Sequence, residues 1–473
     1  MKNKYLFKYV KLQTILWSFF TISFFSCSKW LEVPAPSNQM DASEVFQDSS
    51  TANAAVMGIY SYMHNYNYTE ASAFRNVVTN IGGRLSDEFR LYQSASMDEF
   101  GINVIYPENQ TVLNLWSDLY QAIYFNNSLL QRIEDSQNIS TKFKNQLIGE
   151  ALFLRSFCYF YLLNYFGDVP LVKSIDVAVN ERLPRSGKEE VYAQITKDLL
   201  EARQLMSDDY AYVDSRRGRA TTWAVTALLS RVYLFTGRYD AAIEEASKVI
   251  NRTDLFELSA INSVFLDNSR EAIWRFNSNN GRTYIQDVFA PNQQTNNPRV
   301  VFTDSFLQSF EQGDDRAMEW LGKITAVDGK EYYYPSKYKY TTESNVNGNE
   351  ADLVLRLGEQ YLIRAEARAR MEVPDIMGSI ADLKEVRRRA GLDTEFDGIN
   401  QSDLLGRIAK ERRTELFAEY SHRWFDLIRT KLADEVLSAE KPLTWKAYAV
   451  KLPIPQNARN SNVTLSQNDG YPQ

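Results

Sequence analysis

The densest run of reactive side chains lies between residues 411 and 429, in ERRTELFAEYSHRWFDLIR. Glu411, Glu415 and Glu419 recur every four residues, which places them on one face of a helix. Two carboxylates on one face are what the general acid and base of a glycosidic hydrolysis require. Arg412, Arg413, Arg423 and Arg429 stand beside them, with Asp426 close to Trp424. Guanidiniums favour the ionised carboxylate and depress its pKa, and a depressed carboxyl is a poor proton donor. The cluster is therefore read as an ion-pair network that fastens this helix to its neighbours, with acid–base catalysis as the minor alternative. Glu366, between Arg364 and Arg368, reads the same way. Arg155, alone in an apolar stretch, reads as a buried, hydrogen-bonded structural charge.

A second kind of chemistry is carried by aromatic side chains. The 473 residues include 28 Tyr, 26 Phe and 8 Trp, an enrichment that can feed a core but can also supply sugar-stacking platforms. A sugar ring presents an apolar face of C–H groups and a rim of hydroxyls. A flat Tyr or Trp covers the first, and Asn, Asp, Gln or Arg answers the second at low entropic cost. One irregular stretch offers Tyr66, Tyr68, Tyr92, Asn103 and Tyr106, with Asp87 and Arg90 nearby. Another offers Asn280, Arg282, Tyr284, Trp320, Tyr332, Tyr333 and Tyr334. The chosen ligand-binding set is Tyr92, Asn103, Tyr106, Asn280, Arg282, Tyr284, Trp320, Tyr332 and Tyr333. Against it stands the plainer reading that each ring packs its own loop. Trp116, Trp223, Trp274 and Trp424 sit in periodic segments and are assigned to the core.

Other chemistries find little support. His64 and His422 are separated by most of the chain, and two His with two Cys are too few for a zinc cluster or a disulfide framework. The sequence has no nucleophile elbow, HExxH, phosphate loop or dinucleotide fingerprint. No catalytic residue, cofactor or metal site is expected. Asp208-Asp209 and Asp314-Asp315 offer carboxylates to a structural calcium, but they lack EF-hand spacing and solvated charge is preferred. A net charge of −7 argues against a nucleic-acid partner.

The elements that position these residues are mostly helices. Residues 1–26 combine four Lys with a short apolar run (TILWSFFTISFF), as a signal peptide does, and the run is too short for a confident membrane span. Cys27 follows directly and reads as a lipidated first residue of the mature chain, with residues 27–40 as its tether. Cys158, inside an apolar helix, reads as a small buried hydrophobe. Apolar residues then recur with the 3.6-residue period. Asp41 or Ser43 is expected to cap a helix through Tyr60, and helices are expected at 112–133, 145–166, 189–207 and 402–430. Residues 145–166 are apolar on nearly every face, so that helix belongs in the middle of a bundle. Two helical hairpins, 220–236 with 240–250 and 355–371 with 376–390, resemble tetratricopeptide-type units. Irregular stretches are expected at 61–111, 252–350 and 436–473, with short strands at 271–276 and 448–454. Long loops in a compact domain are commonly functional.

Six blocks, in order, resemble the SusD/RagB family. They are Cys27 with Trp30-Leu31 and a helix ending near Gly58-Ile59-Tyr60; EALFLRSFCYFYLLNYFGDVPLV (150–172); RGRATTWAVTALLSRVYLFTGRYDAA (217–242); GEQYLIRAEARAR (358–370); ERRTELFAEYSHRWFDLIRT (411–430); and LPIPQNARNSNVTLSQNDGY (452–471). Ser156 stands where that family commonly has Ala, and Asp469 where it commonly has Pro. The resemblance implies an all-α protein of tetratricopeptide-like hairpins with long ligand-binding loops and minor short strands. It implies an N-terminal helical region over 41–260 and a C-terminal region over 261–473, packed as one unit. It also implies a non-catalytic lipoprotein of the outer membrane, facing the cell exterior. Such a protein binds glycan and delivers it to a partner SusC-like TonB-dependent transporter. A peptide-binding protein of the same architecture is the first alternative, followed by a glycoside hydrolase and a purely structural tetratricopeptide adaptor. Ligand residues do not transfer from the family, because binding loops differ too much to match position by position.

Overall fold

The structure is a computed structural model that describes residues 46–64, 74–93, 97–134, 136–213, 215–277, 283, 285–292, 295, 297–341, 348–393 and 395–472. The long helices are α1 (Ser49–His64), α2 (Phe74–Leu85), α3 (Gln110–Ile133), α4 (Thr141–Phe166), α5 (Lys188–Leu205), α6 (Thr222–Phe235) and α7 (Tyr239–Ile250). After a strand-bearing middle come α8 (Asp315–Trp320), α9 (Leu357–Arg370), α10 (Ile376–Arg389), α11 (Gln401–Leu416) and α12 (His422–Arg429). Among the described residues six strands form three two-stranded antiparallel ribbons: β1 (Phe89–Leu91) with β3 (Val300–Phe302), β2 (Ala272–Phe276) with β6 (Asp352–Arg356), and β4 (Leu321–Thr325) with β5 (Glu331–Pro335).

The helices stack in series. α3 packs on α4, α4 on α5, α5 on α6, α6 on α7, α7 on α9, and α9 on α10 and α11. The centre is α4, buried along nearly its whole length as its all-round apolar sequence requires. Ser140 caps its start by accepting from the Phe143 amide, and Gly167, at φ +74°, ends it. Arg155 on this helix donates to Asp198 at 2.8 and 2.9 Å and to Asn127 at 2.8 Å, so its charge is fully partnered inside the core. Cys158 is buried there, and burial pushes its thiol up. A second core lies under the ribbons, built from Phe89, Phe265, Phe302, Phe306, Trp320, Tyr338 and Phe417.

Several sequence expectations need correction. The first described helix starts at Ser49, with Asp48 accepting from the Ser50 and Thr51 amides, while Asp41 and Ser43 lie outside the described residues. The stretch 61–111 contains the helix α2. The expected helix 402–430 is two helices, α11 and α12, broken where Ala418, Tyr420 and Ser421 take positive φ. Tertiary contacts impose the break: the Tyr420 hydroxyl donates to Asp352 at 2.9 Å, and Ser421 reaches Tyr165 and the Val78 carbonyl. Ser421 also lies so close to Gly82 that a Cβ there would meet its backbone at 2.7 Å. The expected strand at 448–454 is a 3-10 turn (Ala447–Val450) followed by extended chain, whose Ile454 amide is satisfied by the Gln467 side chain at 2.7 Å.

Candidate ligand face and the charge network beneath it

The carboxylates at 411–419 are structural. Glu411 and Glu415 on α11, and Glu419 just beyond it, are all buried. Arg316 on α8 reaches Glu411 at 2.6 Å, Glu415 at 3.0 Å and Asp314 at 2.9 Å. Arg356, at the end of β6, reaches Glu271 at 2.7 Å, Glu415 at 2.6 Å and Glu419 at 2.7 Å. Arg389 joins Glu271 at 3.0 Å and also contacts Glu415, and Arg387 joins Glu411 at 2.9 Å. Burial raises the pKa of Glu415, but Arg389, Arg356, Arg316 and Lys337 outweigh it and hold the carboxyl well below the usual range. A group so ionised cannot serve as a general acid.

The nearby arginines answer other acids. Arg412 pairs with Asp426 at 2.7 Å, Arg423 with Asp87 at 2.7 Å, and Arg429 with Glu366 at 2.7 Å. His64 packs at a tilt against Phe276, while buried His422 lies 4.0 Å from Glu359, so the two imidazoles occupy separate settings. Asp314 spends both oxygens on Arg316, and Asp209 accepts from the Ala211 amide at 2.8 Å.

Two residues of the expected ligand set belong to this scaffold. Trp320 is 1% exposed, its indole donates to the Ile261 carbonyl at 3.0 Å, and its ring lies 4.5 Å from Lys337 Nζ. It has no open face for a sugar, because it helps to enclose a buried ammonium that Phe417 covers at 4.0 Å. Asn103 is 2% exposed, donates to the Leu85 carbonyl at 3.1 Å and accepts from Lys441 at 2.7 Å. It satisfies the end of α2 instead of facing solvent. Asn280, Arg282 and Tyr284, like Tyr66, Tyr68 and Cys27, lie outside the described residues.

The ribbons bring other members together. β4 and β5 form a hairpin whose turn holds Asp328 and Gly329, the latter at φ +75°. Asp328 accepts from the Lys330 amide at 3.0 Å and from the Tyr332 hydroxyl at 2.7 Å. Residues directly opposite share a face, so Gly322, Ile324, Tyr332 and Tyr334 line one side of the ribbon. Gly322 is required there, since a Cβ would sit 2.3 Å from the Tyr334 ring. Tyr333 falls on the other side and packs against the second core.

Strand β3 lies against β5, and β1 pairs with β3. This delivers Tyr92, whose amide donates to the Arg299 carbonyl, edge-to-face onto Tyr332 with ring centroids 5.1 Å apart. Both rings are half-buried, and Arg90 beside them is exposed. The hydrogen bond to Asp328 keeps the Tyr332 proton in place by raising its pKa. Glu331, at the hairpin edge, is ion-paired to Lys323 at 2.6 Å. The face thus offers tyrosine hydroxyls, ring surface, the Arg90 guanidinium and the Asp328 carboxylate, whose pKa the hydrogen bond from Tyr332 lowers, a set suited to binding a polyhydroxylated ligand. Tyr106 is 56% exposed, and among the described residues no ring contact joins it to Tyr92 or Tyr332. Tyr334, outside the expected ligand set, joins Tyr332 on this side of the ribbon. The Asp328-Gly329 pair between Lys323-Ile324-Thr325 and Tyr332-Tyr333-Tyr334 was the signal that would have placed it on a hairpin.

Comparison with known proteins assigns the class. Residues 29–234 match the family described as "Starch-binding associating with outer membrane", and residues 199–471 match the SusD family. SusD-like protein P25 of Formosa agariphila is 24% identical, over 97% of this chain and 99% of its own length. The starch-binding protein SusD of Bacteroides thetaiotaomicron is 25% identical, over 68% of this chain and 72% of its own. Among solved structures, a SusD superfamily protein of Bacteroides vulgatus superposes with a TM-score of 0.77 at 20% identity, over 90% of this chain and all (100%) of its own. A structure described as a laminarin-binding SusD-like protein gives a TM-score of 0.75 at 25% identity, over 90% and 100%. The fold is the SusD fold, and the chain belongs to the SusD family.

Proposed function

We propose that this protein captures glycans at the cell surface, anchored by a lipid on Cys27, and passes them uncleaved to a partner SusC-type TonB-dependent transporter. The observation that carries the binding step is the Tyr92–Tyr332 pair, two rings set at 74° with Arg90 and Asp328 alongside. Tyr334 extends the same face, and Tyr106, Asn280, Arg282 and Tyr284 remain candidate contributors. Relatives named for starch binding and laminarin binding support a glycan ligand. The depressed Glu415 carboxyl, enclosed by arginines, supports binding without hydrolysis. Among the described residues no helix is long and apolar enough to cross a membrane.

The test uses the mature soluble form beginning at Ser28, presented with starch, laminarin and other polysaccharides, and with peptides. The expected result is glycan binding with no reducing sugar released, weakened by Tyr332→Ala. Binding of peptides alone moves the assignment to a peptide-capture protein, and sugar release overturns the non-catalytic reading. Cys27→Ala in the full chain is expected to free the protein from the membrane fraction; retention there removes the anchor.

A further inference from the structure

A pocket of about 260 Å³ opens between α11, α12, the turn after α12 and the end of α9. Ser402 and Gly406 lie at its exposed mouth, and Arg412 and Glu366 are buried at its base. Four guanidiniums line it, those of Arg370, Arg412, Arg423 and Arg429. Three carboxylates answer them: Glu366 takes Arg370 and Arg429, Asp426 takes Arg412 and Arg429, and Asp87 takes Arg423. Glu366 and Asp426 also line the pocket, but each accepts from two of these arginines, so their lone pairs are already engaged.

Donors remain over. Arg412 Nη1 is buried and has no partner among the described residues. Among the described residues Arg423 bonds Asp87 through Nε and Nη2, and Arg370 bonds Glu366 through Nε. A buried guanidinium nitrogen left without an acceptor is costly, and an excess of positive charge in an enclosed space favours an anion. The void is too small for an oligosaccharide, and its lining has no exposed aromatic face.

We infer that this pocket binds a small tetrahedral oxyanion of the sulfate or phosphate class, held by Arg412, Arg423 and Arg370. The anion adds the missing negative charge and ties α11 and α12 to the end of α9. The same chemistry is presented by a free inorganic ion and by a sulfate ester on a sugar.

The test measures the melting temperature of the mature protein in sodium sulfate, sodium phosphate, glucose 6-sulfate and sodium chloride at matched ionic strength. Sulfate and phosphate are expected to raise it by roughly 2 °C beyond chloride at saturating concentration. A response to the free ions alone identifies a free-anion site; a response to the sugar sulfate as well identifies a site that also accepts the ester. Gly406→Leu is the occluding variant, because nothing lies within 4 Å of the position a Cβ would take and every ion pair is left intact. It should fold and lose the response. Arg370→Gln, at the pocket edge, should weaken it severalfold. Equal melting temperatures in sulfate and chloride, or a full response in Gly406→Leu, overturns the inference.

Discussion

The charge network under residues 411–419 and the tyrosine face on the ribbons both present groups that polysaccharide chemistry could use, and burial separates them. In the network every carboxylate is enclosed and matched to guanidiniums from α8, β6 and α10, so the charge is spent on holding elements together. On the ribbon, rings and hydroxyls stay half-open, and Tyr332 is held by a single hydrogen bond to Asp328. Carboxylates themselves teach the same lesson. Glu415 and Glu88 are equally enclosed, yet Glu415 is held ionised by its arginines. Burial pushes Glu88 up to about 8, because the Ala418 amide and the more distant Arg423 and Arg413 do not outweigh it, and its Oε1 has no hydrogen-bond partner among the described residues.

The comparison breaks most decisively at Arg356. Arg356→Met leaves Glu271, Glu415 and Glu419 short of a partner and should cost roughly 3–5 kcal/mol in urea unfolding. Trp320→Ala should cost a similar ~3–5 kcal/mol by emptying the second core. In both variants the molecules that remain folded should bind glycan as before. A loss below about 1 kcal/mol in either would place that residue outside the scaffold.

Next in size is a pH effect. A raised carboxyl pKa in the folded state means the unfolded chain ionises first. The Glu88 contribution therefore drains away as pH climbs from the unfolded value of about 4.3 towards 8. Glu415 has the opposite sign: its contribution is complete above about 4.3 and is lost only as pH falls through its depressed folded value. Glu88→Gln should thus gain stability relative to the parent between pH 5 and pH 8. An unchanged difference would show Glu88 to be ionised in the folded protein.

On the ribbon the effects move from stability to affinity. Tyr332→Ala should weaken glycan binding about tenfold, roughly 1.4 kcal/mol, while unfolding shifts by less than about 1 kcal/mol. Tyr106→Ala, on an exposed ring, should leave stability within about 0.5 kcal/mol. Its effect on binding measures how far the ligand face extends beyond the Tyr92–Tyr332 pair.

Much of the helical frame was legible because its signals are local. The apolar run of α4, its Gly167 end, and the turns at 236–238 and 371–375 all lie within a few residues of what they control, whereas its start at Thr141, capped by Ser140, falls four residues before the expected 145. The partners of Glu411, Glu415 and Glu419 were not legible. Arg412 and Arg413 are adjacent in sequence but project elsewhere, and the guanidiniums that bind these acids come from residues 316, 356, 387 and 389. Trp320 and Asn103 were misread for a related reason. A ring or amide in an irregular stretch looks available until its distant neighbours, Ile261 and Lys337 in one case and Lys441 in the other, are in place.

The sequence by itself determined the helical periodicity, the buried central helix, the charge-rich scaffold and the family blocks, because each is encoded over a few turns of chain. Only the tertiary structure decided which acids meet which arginines and which tyrosines stay open. Those outcomes depend on long-range docking: β1 paired with β3 and laid against β5 sets Tyr92 on Tyr332 across 240 positions of chain. No short-range propensity encodes a contact of that span.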